Sequence, residues 1–154
     1  MELGCVASGI IRTFRYFRGS EVVFNKNGNI TVERNTKGGI AFFFEIDYKK
    51  MELLFSSSIT REDDNFDKKL GRDICAQRAA NDCTKTYKIP YTQGPDLLEQ
   101  VFTMLTNASE TGELGDKPYL RTLLSKMRLY DQQNADSACM YQDMLDSGVI
   151  TIAE

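Results

Sequence analysis

The chain has 154 residues, 42% of them hydrophobic and 27% charged, with a formal net charge of −3. That length suits one domain with a proper core, and no apolar run approaches the roughly 20 residues of a membrane-spanning helix. The expectation is therefore a cytoplasmic protein with no membrane partner. The opening MELGCVASGIIR has no basic stretch before its short apolar run and no signal-peptide pattern. Histidine is absent, which excludes Ser-His-Asp and Cys-His nucleophile pairs and any imidazole base. Carboxylate or lysine chemistry remains open, but no complete catalytic signature is present. Cys5, Cys75, Cys83 and Cys139 lack Cys-x-x-Cys spacing, so buried thiols are expected rather than a zinc centre. No metal and no cofactor is expected.

Charge is uneven along the chain. Residues 1–78 carry 13 Lys+Arg against 11 Asp+Glu, and residues 79–154 carry 6 against 11. A general nucleic-acid binder shows a basic excess, so this balance favours a local anion site over an extended nucleic-acid surface.

The first sixty residues read as strands. Ile10–Phe17 alternates and is rich in β-branched and aromatic residues. Val22–Asn25 and Ile30–Arg34 flank Lys26-Asn27-Gly28-Asn29, whose Asn-Gly predicts a tight hairpin turn. Gly38-Gly39 turns the chain again, and Ile40–Tyr48 and Met51–Ile59 follow as strands. The alternation sends Ile40, Phe42, Phe44, Ile46 and Tyr48 to a core face. Ala41, Phe43, Glu45 and Asp47 take the other, where Phe43 should meet a helix or a partner. Five consecutive strands with short turns predict an antiparallel meander.

Thr60–Asp64 is expected to be a loop, with Asp64 or Asn65 capping the next helix. Phe66, Leu70 and Ile74 recur at helical spacing as its buried stripe, while Gly71, Cys75 and Arg78 share a third side. Thr84–Tyr91 reads as a short strand, placed at an edge by Pro90. Pro95 opens a second helix with Leu97, Leu98, Val101, Phe102 and Leu105 on its apolar face. Ala108–Lys117 is a loop. Pro118 starts a third helix, and a fourth spans about Ala135–Asp146. Gly148 then releases a terminal VITI able to pair with the sheet. The prediction is one α+β domain over 1–154. Residues 1–60 are mainly strands, and 61–154 are mainly about four helices covering one face.

The leading site lies at DNFDKKLGRDICAQR, residues 64–78, where Lys68, Lys69, Gly71, Arg72 and Arg78 gather at a helix start. Helix starts carry unpaired N–H groups and a positive dipole end, so they suit anions. Across 61–78 five cations meet five anions, so a solvated helix face is the alternative. A helical glycine costs about 1 kcal/mol against alanine, and a close approach would explain Gly71. A secondary candidate is the strand face Arg12, Phe14, Tyr16 and Arg18, suited to stacking bases and holding phosphates. The acidic cluster Glu62, Asp63, Asp64 and Asp67 is the third, as a metal or acid–base site. Met140, Tyr141 and Met144 are expected in the core or in a subunit contact.

The segment Asp64, Asn65, Phe66, Lys68, Lys69, Gly71, Arg72, Ala76, Arg78, preceded by FSSSI, resembles one found in small, little-characterised bacteriophage-encoded proteins. The likeness covers fifteen to twenty residues and departs at Gln77, where a small residue is expected. It implies a phage origin and, from the class, action by binding. The expected function is a counter-defence or host-takeover protein in the host cytoplasm. It would sequester a nucleotide-like ligand or block a host or defence protein, without catalysis, and self-association is expected through the Phe43 face and the C-terminal helices. A single-stranded nucleic-acid binder and a metal-dependent hydrolase or nuclease are the alternatives.

Overall fold

A computed structural model of the chain describes residues 9–81 and 85–148. Cys5, Cys83, most of the opening segment and the terminal VITI lie outside them.

Among the described residues six strands and three helices run in the order β1 Ile10–Phe17, β2 Ser20–Phe24, β3 Ile30–Arg34, β4 Lys37–Asp47, β5 Glu52–Asn65, α1 Lys68–Ala80, β6 Thr86–Pro90, α2 Leu97–Glu110 and α3 Pro118–Asp146. All strand pairings are antiparallel. The mixed α+β class matches the sequence prediction, but the strands do not form one five-stranded meander. Four make a sheet in the order β1-β4-β5-β6, and β2-β3 is a separate hairpin. Its Asn-Gly turn is as expected, with Gly28 at φ 86 and Gly28 N donating to Asn25 O at 3.0 Å.

The predicted alternation along β4 holds from Ile40 to Asp47, but Tyr48 lies past the strand end and is exposed rather than core. Ile40, Phe42, Phe44 and Ile46 join Leu53, Phe55, Leu97, Val101, Leu105, Leu123 and Met127 in the main core. On the opposite face Ala41 and Phe43 pack with Cys75 of α1, Phe14, Tyr16 and Phe66. Helices therefore cover both faces, not one: α1 lies on the Phe43 side, and α2 and α3 lie on the other. Phe43 is only 7% exposed, so it meets a helix and offers no surface to a second copy.

Four further expectations change. The acidic stretch after Ile59 is strand, because β5 continues to Asn65, where it pairs with Lys37. The cap of α1 is Asp67, whose side chain accepts from Leu70 N at 3.0 Å. The buried stripe of α1 is Gly71 and Cys75 rather than Phe66, Leu70 and Ile74, and Leu70 is 57% exposed. The third and fourth helices are one 29-residue helix, since no glycine or proline interrupts residues 119–146. At 1.5 Å per residue it runs ~44 Å. Its first half packs Leu120, Leu123, Leu124, Met127 and Tyr130 into the core, and its second half carries the hairpin, with Ser137 Oγ donating to Ser20 O at 3.0 Å.

The close approach expected at Gly71 is to the sheet. A Cβ built on Gly71 would lie 2.7 Å from Ala41 Cβ, inside any normal contact distance. Gly71→Val should therefore lower stability by about 1–3 kcal/mol through overpacking, partly offset by better helix propensity. Ala41→Gly in the same chain should restore part of the loss. Thermal melts of the two single variants and the double variant check this through their non-additivity.

Candidate functional site

The two basic constellations of the sequence meet at the start of α1. Strand β1 presents Arg12, Phe14 and Tyr16 to the α1 side, opposite Glu45, Phe43 and Ala41. Phe14 packs edge-on against Phe43 with ring centroids 5.4 Å apart, and Tyr16 edge-on against Phe66 at 6.0 Å. Two cations rest on this aromatic pair. Arg18 lies over the Phe66 ring at 4.8 Å, and Lys68 Nζ lies 5.1 Å from the Tyr16 centroid. Such cation–ring contacts stabilise and orient the charge more strongly where water is partly excluded.

Arg18 is the most constrained of these groups. Its guanidinium donates to Asn35 O, its own carbonyl accepts from Asn134 Nδ2 at 3.1 Å, and its Nε is buried with no hydrogen-bond partner. Burial, then repulsion from Arg34, lowers its pKa from the ordinary arginine value. Arg72 stands one helical turn beyond Lys68, a spacing that puts both on one flank of α1. Among the described residues Arg18, Lys68 and Arg72 form no ion pair; those present are Arg12–Glu45, Arg61–Asp63 and Lys126–Glu62.

The five residues of the leading site do not converge. Lys68 and Lys69 are exposed in the first turn and Gly71 faces the sheet. Arg78 lies ~15 Å further along the axis, where its guanidinium donates to Ser57 O and to Tyr119 Oη at 3.4 Å. It shares the Tyr119 ring with Lys85, whose Nζ is 5.0 Å from the centroid. There it secures the β5 carbonyl just past the end of β6 pairing. In the secondary group, Arg12 is held by Glu45 at 2.9 Å. Phe66 belongs to the site although its spacing suggested only core. The signal for it is its place in the motif directly before the cap and the lysine pair.

Asp67 places a carboxylate at the helix N-terminus, so an external anion there competes with the chain's own cap. The cations that remain available stand beside the helix, over the rings. The acidic cluster disperses: Glu62 accepts from Lys126 Nζ at 2.7 Å and Tyr130 Oη at 3.0 Å, Asp63 lies 3.5 Å from Arg61, and Asp67 caps α1. Among the described residues no group of three or more His, Cys, Asp or Glu is placed to hold a metal. Cys75 is buried, and desolvation pushes its thiol up to about 12, which makes it inert at neutral pH. Cys139 is exposed, contrary to the buried-thiol expectation. Met140 is 43% exposed, so it is not core. No described helix is long and apolar enough to cross a membrane.

No family model, no curated protein and no solved structure matches this chain.

The Lys126 and Tyr130 hydrogen bonds to Glu62 lower its pKa below the ordinary glutamate value. A depressed folded-state value gives stabilisation that is present above the unfolded pKa and lost as pH falls through the folded one. Glu62→Gln should therefore be less stable than the parent at neutral pH. The gap should close on acidification below about pH 4, as denaturant titrations across pH will show.

Proposed function

We propose that this chain is a non-catalytic binding protein that sequesters a phosphate-bearing, nucleotide-like ligand on the face made by β1 and the first turns of α1. The supporting observation is Arg18, a part-buried guanidinium over the Phe66 ring, with Lys68 across the Tyr16–Phe66 pair and neither in an ion pair among the described residues. Cations held on aromatic surfaces and lacking carboxylate partners make strong charge-assisted hydrogen bonds to phosphate oxygens. The adjacent rings supply an apolar body for a base or sugar. The phage likeness of residues 64–78 supplies the setting: counter-defence or host takeover in the host cytoplasm, by removing a nucleotide signal or by blocking a host protein. For such blocking, or for pairing of copies, exposed Phe24, Val32 and Met140 provide apolar surface in place of Phe43.

Single-stranded nucleic acid is the second candidate ligand, favoured by the alignment of Arg12, Phe14, Tyr16 and Arg18 along an edge strand. It ranks behind because Glu45 engages Arg12 and the Phe14 and Tyr16 rings pack edge-on against neighbours.

Calorimetric titration with nucleoside phosphates, cyclic dinucleotides and a labelled oligothymidylate distinguishes the two. The Lys68→Ala/Arg72→Ala double variant should bind the nucleotide at least tenfold more weakly, given ~1.5–3 kcal/mol for each charge-assisted hydrogen bond. Its melting temperature should stay close to that of the parent. Unchanged binding in that variant would mean a solvated helix face, and steep salt dependence with the oligonucleotide would select the nucleic-acid role.

A further inference from the structure

We propose a second ligand site, for a small aromatic molecule with an uncharged hydroxyl or amide head, between α2 and the edge strand β6. It lies on the face of the sheet opposite Arg18 and Lys68 and does not depend on their role. A half-enclosed cavity of about 220 Å³ is lined there by Phe55, Tyr87, Val101, Leu105, Leu114 and Leu120. Phe55 and Val101 are 1% and 0% exposed, so the cavity reaches the main core. Close-packed interiors rarely keep gaps larger than a water molecule, and flexible Met104 on the wall would fill an unframed one.

The backbone frames this gap at both ends of α2. Gln100 ties the helix start to the preceding loop, accepting from Thr92 N at 2.9 Å and donating to Thr92 O at 2.8 Å and to Pro95 O at 2.9 Å. Beyond the helix end, Glu113 N donates to Ala108 O at 2.9 Å and Lys117 N to Leu114 O at 3.1 Å, which seats the buried Leu114. Both ends of α2 are thus tied to the chain beside them.

Size and polarity define the ligand. An apolar cavity of about 150 Å³ holds benzene, so this one takes a single ring with a short substituent. Its mouth carries exposed Glu113 and Lys117, which form no ion pair among the described residues. Glu113 is an acceptor and Lys88 and Lys117 are donors at this rim, which matches a head that both donates and accepts, while the apolar lining penalises a charged head by desolvation.

The test is thermal melting of the full chain with 4-ethylphenol, with 4-ethylbenzoate as the charged control. The parent protein should gain roughly 5 °C when 4-ethylphenol is about a hundredfold above its dissociation constant, and less with the benzoate. Ala108→Phe places a ring into the cavity from its wall. That variant should melt no lower than the parent and lose the 4-ethylphenol shift. A second measurement needs no variant: methyl resonances of Val101, Leu105, Leu114 and Leu120 should move with 4-ethylphenol while those of Ile40 stay still. Absence of any shift in the parent, an equal shift in a folded Ala108→Phe, or methyl changes spread over the chain would overturn the assignment.

Discussion

Helix α1 rests directly on the sheet because the side chains between them are small. Gly71 sits over Ala41, and Ser56 and Ser58 of β5 share that face with Ala41. Hydrogen bonds then fix the contact: Cys75 Sγ donates to Ala41 O at 3.1 Å, and Ser56 Oγ donates to Cys75 O at 2.6 Å. The thiol here is a packing group and a weak donor, buried beyond the reach of redox chemistry. A helix seated this low brings its first turn beside β1, which is what lets Lys68 reach Tyr16 and Phe66 reach Arg18. Without that approach the basic helix start would project into solvent as an ordinary charged face.

Arg18 couples this face to the rest of the molecule. It directly follows β1, where the chain leaves the sheet for the β2–β3 hairpin, and its backbone is held by Asn134 of α3. Asn35, at the hairpin's return, bonds Gln133 Oε1 at 3.2 Å and accepts from the Arg18 guanidinium. Three elements thus converge on this one residue. The second half of α3 adds few apolar contacts to this arrangement, since its inward positions include Asn134 and Ser137. A polar seam of this kind gives orientation rather than strong burial energy. The hairpin is consequently held by specific bonds at its base, while Phe24 and Val32 remain exposed.

How much was readable from sequence follows from how local each signal is. The alternation of IAFFFEIDY and the Asn-Gly turn are local, and β1, β3 and the faces of β4 came out as expected. The pairing of β1 with β4 across the hairpin is a long-range choice, and nothing local distinguishes it from a meander. The acidic run 61–64 looked like loop because charge was taken as a loop signal. It is strand because the β5 backbone continues to its pairing with Lys37. For α1 the large apolar residues suggested the wrong buried stripe. Close contact with the sheet needs small residues, so Gly71 and Cys75 face inward and Leu70 faces out. The site was readable as two separate basic groups. Their meeting over Phe66 depends on the packing of α1 against β1, and Arg78 falls away because ten residues of helix separate it from Lys68.

Tyr16, Arg18, Phe66, Lys68 and Arg72 are proposed to form one ligand-binding face. The most direct measurement is a backbone and side-chain NMR titration of the labelled protein with the tightest nucleotide from the calorimetric panel. Saturable shifts should centre on those five residues and on Asn35, with the α2–β6 face unmoved. Saturable binding that shifts a different surface and leaves Arg18 and Lys68 unchanged would contradict the proposed face.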